Sequence, residues 1–140
     1  RYLSALIAAL DDGADLAVGS RNIPEGGVEG WGIGRQVLSK GGSLYSRAVL
    51  GVRVHDLTTG YKAYKRATLE AIGLDRVHSN GYAFQIETTF RALRRGLKVI
   101  EIPIVFVDRR VGHSKMSRRI FFEAIRIPWK LRLEASLNRL

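Results

Sequence analysis

The sequence predicts an α/β fold built as one compact layer structure, and three observations carry that prediction. Segments with helical apolar spacing alternate with short apolar runs of strand length, no internal repeat or low-complexity tract interrupts them, and 46% of the 140 residues are hydrophobic, enough to bury a real core.

The elements follow in order. Tyr2, Leu3, Leu6, Ile7 and Leu10 recur at helical spacing, and Asp11-Asp12-Gly13 ends that helix with Gly13 as its cap. Leu16-Ala17-Val18-Gly19 reads as a short buried strand. Residues 20–34 hold five glycines and a proline, a long loop of functional character with no regular structure expected in it. A helix resumes over residues 35–50 through Val37, Leu38, Leu44, Tyr45, Ala48 and Val49. Gly41-Gly42 inside it costs roughly 1 kcal/mol each relative to alanine, which implies close approach by a backbone or a ligand. A loop over residues 55–60 leads into a strand at 61–65, and a short helix follows over 67–72. Asn80-Gly81 marks a turn, after which Phe84, Ile86, Thr89, Phe90 and Leu93 define a helix that stops at Gly96. Residues 97–106 form one or two strands, broken or edged at Pro103. The last helix, over 117–133, carries Pro128 inside it. We divide the chain into residues 1–116 and a basic amphipathic helical tail over residues 117–140.

Composition narrows the function. Cysteine is absent, which excludes disulfides and thiolate metal sites and points to a reducing compartment. His55, His78 and His113 lack metal-ligand spacing, so a zinc enzyme is disfavoured. The net charge of +10 implies an anionic partner: nucleic acid, an anionic membrane surface or a phosphorylated ligand. No apolar run reaches the roughly 18 residues of a membrane span, and the start has no signal-peptide layout. The first residue is not methionine and falls inside a helical pattern, so a fragment of a longer protein is expected.

Five constellations could carry chemistry. Arg21 follows a strand, at the end where open α/β sheets place ligands; on position alone it is equally a surface arginine. Arg35 and Ser39, four apart, put a guanidinium fork and a hydroxyl on one helix face near its start, a set that suits a phosphate monoester or is ordinary polar decoration. Asp56-Leu57-Thr58-Thr59-Gly60 is a capped turn, or a carboxylate placed to orient a catalytic group or a sugar hydroxyl. Glu87 among Phe84, Ile86 and Phe90 needs a partner once buried, either an arginine or a ligand. Arg109, Arg110, Gly112, Ser114 and Lys115 form a basic loop that is a lid over pyrophosphate or a solvated loop. From 109 to 132 there are eight Lys or Arg and one acid, Glu123. The terminal helix, with Phe121, Phe122, Ile125, Trp129 and Leu133, suits an anionic bilayer surface at about 1 kcal/mol per basic group, or packs on the fold or a partner.

In order and spacing, Gly19-Ser20-Arg21, Arg35 with Ser39, Asp56-Leu57-Thr58-Thr59-Gly60-Tyr61, Phe84-Gln85-Ile86-Glu87 and the basic run from Arg109 to Lys115 resemble the polyprenol-phosphate (dolichol-phosphate) mannosyltransferases of glycosyltransferase family 2. The flavour is that of the actinobacterial polyprenol monophosphomannose synthases, and the resemblance spans nearly the whole chain.

The resemblance implies the C-terminal, acceptor-side part of a GT-A-like (Rossmann-like) fold. It implies transfer of mannose from GDP-mannose to a polyprenyl phosphate with inversion, with Mg²⁺ or Mn²⁺ in the complete enzyme, at the inner face of the plasma membrane and peripheral to it. By matching motif, Arg21, Arg35 and Ser39 bind the acceptor phosphate, Arg109 and Lys115 reach the donor phosphates, and Asp56, Glu87 and Arg109 are the catalytic candidates. The family's Asp-x-Asp metal site is absent; Asp11-Asp12 lacks its alternating spacing. The chain alone is therefore expected to be inactive. Two competitors stand beside this reading: a family 2 enzyme using another sugar nucleotide such as UDP-glucose, and a basic nucleic-acid-binding module, which no stacking platform or recognition-helix pattern supports.

Overall fold

The computed structural model describes residues 1–108 and 118–140. Its elements run α1 (Leu3–Asp11), β1 (Leu16–Ser20), β2 (Gly27–Glu29), α2 (Ile33–Leu50), β3 (Lys62–Tyr64), α3 (Arg66–Ile72), a 3-10 turn (Leu74–Arg76), α4 (Gly81–Arg94), β4 (Val99–Pro103), β5 (Val105–Val107) and α5 (Arg118–Ser136). The result is a mixed α/β structure around a small sheet.

β1 is the axis of that sheet. It pairs antiparallel with β3, Leu16 opposite Tyr64 and Val18 opposite Lys62, and parallel with β4, from Leu16 opposite Val99 to Ser20 opposite Pro103. All five of its residues are buried, because both faces are covered. Leu16 and Val18 point into a cluster with Ile72 of α3 and Ala92 of α4, whereas Ala17 points to Leu6 and Ala9 of α1. The alternation of strand side chains thus distributes one short segment between two layers. A third cluster joins Leu50 of α2, Val54, Leu57, Ile86 and Phe90 of α4, and Leu131 and Ala135 of α5.

Two local expectations change. The stretch over residues 20–34 is not wholly irregular: β2 pairs in parallel with β5, Gly27 opposite Val105 and Glu29 opposite Val107. Its partner is about eighty residues away, so local composition carried no trace of the pairing. Gly41 and Gly42 meet no close neighbour; a Cβ at either position would point into open space among the described residues. The close approaches fall on other glycines. A Cβ on Gly19 would lie 2.8 Å from the Tyr61 ring, and one on Gly26 would lie 2.5 Å from the Ser20 carbonyl oxygen. Elsewhere, Asn80-Gly81 is a helix entrance, with Gly81 at φ +55° as the first residue of α4.

Pro103 ends β4, and the buried Ile104 carries the chain from one sheet to the other: its N–H donates to the Ser20 carbonyl, and its own carbonyl accepts from the Gly27 N–H. The C-terminal ends of β1 and β4 and the starts of β5 and α2 therefore converge on one region. α5 lies against α2 and α4. Arg132 donates to the Val49 carbonyl at 2.7 Å, and Arg94 donates to the Ala135 carbonyl at 3.1 Å, each satisfying an acceptor in the last turn of another helix.

Candidate phosphate-binding site

Where those ends converge, a cavity of about 670 Å³ opens, lined among others by Arg21, Trp31, Arg35, Ser39, Tyr61 and Phe106. A smaller recess of about 170 Å³ shares Arg21, Trp31 and Ser39 with it and adds Gln36 and Lys40. Three residues singled out from the sequence are thus brought together: Arg21, just after β1, and Arg35 and Ser39 of α2.

Arg21 follows β1 directly and is locked in place. Its Nε donates to Asp56 Oδ2 at 2.8 Å, its Nη2 donates to Asp56 Oδ1 and to Thr58 Oγ1 at 3.0 Å each, and its backbone N–H donates to Oδ2 at 3.0 Å. A planar fork meeting a carboxylate through two bonds is the strong form of this pairing. Nη1 has no protein partner among the described residues.

Asp56 is fully buried. Besides Arg21, its Oδ1 accepts from the backbone N–H of Thr58 and of Thr59 and from the Thr58 hydroxyl. The Asp-Leu-Thr-Thr segment is therefore a capped turn and an orienting carboxylate at once. Burial by itself would raise the Asp56 carboxyl, but the hydrogen bonds and charge of Arg21 outweigh it and hold the group below the usual carboxylate range. Arg21 is correspondingly raised: burial lowers it, and the bonds and charge of Asp56 more than reverse that. Glu101 of β4 fixes the same loop from below, accepting from the backbone N–H groups of His55 and Asp56 and pairing with His55 Nδ1 at 2.8 Å.

Arg35 lies in the first turn of α2, four residues after Trp31. Its Nη1 donates to Asp108 Oδ2 at 3.0 Å, and both side chains of that pair are more than a third exposed. Its guanidinium carbon lies 3.9 Å from the centroid of the Trp31 ring, and that of Arg21 lies 5.5 Å from it. The site thus presents two cations, one clamped by a buried acid and one held loosely over an aromatic face.

Glu87 stands apart. It does not line the cavity; its carboxylate takes Arg91 at 2.9 Å, four residues on along α4, together with the Ser79 hydroxyl, and both Glu87 and Arg91 are buried. The partner it required is an arginine of its own helix. Arg109 and Lys115, with the rest of the basic loop, lie outside the described residues. No group of three or more His, Asp or Glu among the described residues is placed to hold a metal ion. The divalent ion that the resemblance implies therefore finds no donor set there.

Trp31, which lines the cavity, and Lys62, a buried lysine that does not, were not singled out in the sequence. Trp31 had a usable signal, an aromatic four residues before an arginine at a helix start. Lys62 had none: its Nζ donates to the Gln85 carbonyl at 2.7 Å, and burial, only partly offset by the charge of Asp56, pushes its pKa down to about 7.

No family model matches the chain. Curated relatives do. The chain is 52% identical over 123 residues to a polyprenol monophosphomannose synthase of Mycolicibacterium smegmatis, covering 88% of this chain and 46% of that protein. It is 48% identical over 112 residues to an undecaprenyl-phosphate mannosyltransferase of Micrococcus luteus, covering 80% of this chain and 46% of that protein. The chain spans about half the length of the curated relatives it matches. At this level of identity, over most of its own length, the chain is similar to the polyprenyl-phosphate mannosyltransferases that the sequence motifs suggested, in the C-terminal portion of those longer proteins.

Proposed function

We propose that the chain is the acceptor-phosphate side of a GT-A-type transferase that moves mannose from GDP-mannose to a polyprenyl phosphate with inversion. The observation that carries this is the convergence of Arg21, Arg35 and Ser39 on one cavity. A phosphate monoester is anionic at neutral pH and attacks an anomeric carbon without a strong base. The protein must chiefly hold and aim it.

The division of labour follows from the bonds. Arg35 keeps Nε and Nη2 free of protein partners among the described residues and takes the phosphate, displacing Asp108, since an exposed ion pair is worth only about 0–1 kcal/mol. Arg21 offers Nη1, and Ser39 a hydroxyl. Asp56 orients Arg21 and does not itself touch substrate. Arg109 and Lys115 remain our candidates for the donor diphosphate, and Glu87 supports α4 through Arg91.

The lipid places the reaction at a bilayer, and the surface supports that. Ile33, Val37 and Leu44 recur on the face of α2 turned away from Arg35 and Ser39, and all three are exposed. Phe122, Trp129 and Leu133 are exposed on α5, among Arg118, Arg119, Arg126 and Lys130. Basic and apolar together, these helices suit peripheral seating on an anionic membrane, at the inner face. No helix of the described residues is long and apolar enough to cross one.

The test is transfer by the full-length protein from labelled GDP-mannose to polyprenyl phosphate with Mg²⁺, beside UDP-glucose as rival donor. In it, Arg35→Ala should raise KM for the lipid phosphate at least ten-fold, from a lost charge-assisted pair of about 1.5–3 kcal/mol, with little change in KM for the nucleotide. Equal loss toward both substrates would contradict the assignment, and transfer from UDP-glucose alone would replace the donor.

A further inference from the structure

We infer that Trp31 is a positioning residue that aims the Arg35 guanidinium into the cavity and sets its distance from Arg21; this rests on the reading of the cavity as a phosphate site. The two arginines carry like charge and must both face one anion. Arg21 is fixed by Asp56. Among the described residues Arg35 has only Asp108 as an ion-pair partner, with about a third of that side chain exposed, and a long side chain so held keeps much of its rotamer freedom. The Trp31 ring supplies the missing constraint, with the Arg35 guanidinium carbon 3.9 Å from its centroid and that of Arg21 within cation–π range at 5.5 Å.

The ring is itself supported. Phe106 of β5 meets it edge-on, with centroids 5.8 Å apart at 74°, and Gln36 Nε2 donates to the Trp31 carbonyl at 3.0 Å. Its indole N–H is buried with no acceptor among the described residues, so no hydrogen bond from the ring fixes it. Trp31 also lines both the large cavity and the small recess, as Arg21 and Ser39 do. A merely structural tryptophan would not need two guanidiniums on its π system.

The test uses Trp31→Leu, Trp31→Met and Trp31→Phe in the full-length protein, with calorimetric binding of farnesyl phosphate and of uncharged farnesol. The non-aromatic variants should weaken farnesyl phosphate about ten-fold, within the range of a partly desolvated cation–π contact, and leave farnesol unchanged; Trp31→Phe should stay within about three-fold of wild type. The Arg35 Nε–H resonance gives a ligand-free readout: it should be ring-current shifted in the wild type, partly so in Trp31→Phe and not in Trp31→Leu or Trp31→Met. Equal weakening of both ligands, or an Arg35 resonance unmoved by loss of the ring, overturns the inference. A wild type that binds no farnesyl phosphate sinks the acceptor reading instead, and the Arg35 resonance then decides the role of Trp31 separately.

Discussion

At the scale of single residues, buried charge governs the site. Arg21 and Asp56 are desolvated together, and such a pair is costly to break because the survivor is left unpaired. Asp56→Ala should lower unfolding free energy by about 3–5 kcal/mol, measured by urea titration near pH 7. The pH dependence has a fixed sign. The folded Asp56 value lies below its ordinary one, so its stabilisation is present above the ordinary value near 3.8 and is lost as pH falls through the folded value. Acid titration below pH 4 should therefore be steeper in the wild type than in Asp56→Asn. Lys62 acts in the opposite window. Its folded value near 7 lies below the ordinary 10.5, so the unfolded chain binds the proton more strongly between them, and stability rises as pH is raised from about 7. Thermal unfolding at pH 7 and pH 9.5 should show that rise, and Lys62→Met should flatten it. Asp56 was legible in the sequence as an acid before two threonines. Lys62 was not, because nothing in Tyr61-Lys62-Ala63 tells which lysine a helix 23 residues later will cover.

At the scale of elements, α5 serves two surfaces. Leu131 and Ala135 belong to the core cluster of Leu57, Ile86 and Phe90, while Phe122, Trp129 and Leu133 stay exposed. Leu131→Ala should cost about 2–5 kcal/mol of stability, the range for a buried leucine in a packed core, as read by chemical unfolding. Phe122→Ala should leave stability within about 1 kcal/mol and weaken sedimentation with anionic vesicles, since it removes surface and no core contact. Helix existence was readable throughout from apolar periodicity, Pro128 included. The pairing of β2 with β5 was not, since three residues of glycine, valine and glutamate have too little pattern to announce a strand, and their partner supplies the reason to be one.

At the scale of the whole molecule, the sequence by itself determined the α/β class, the alternation of elements, the basic charge and the family resemblance, because apolar period, composition and motif order are properties of the chain. It also named Arg21, Arg35 and Ser39. Only the tertiary structure decided what those residues do for one another. The sheet order β3-β1-β4 and the crossing at Ile104 bring Asp56 under Arg21 and Asp108 beside Arg35, whereas Glu87 meets Arg91 within α4, away from the cavity. The physical reason is range: helix and strand preferences act over a few residues, whereas a guanidinium finds its carboxylate across 35 or 73 positions only once the chain has folded around a shared core.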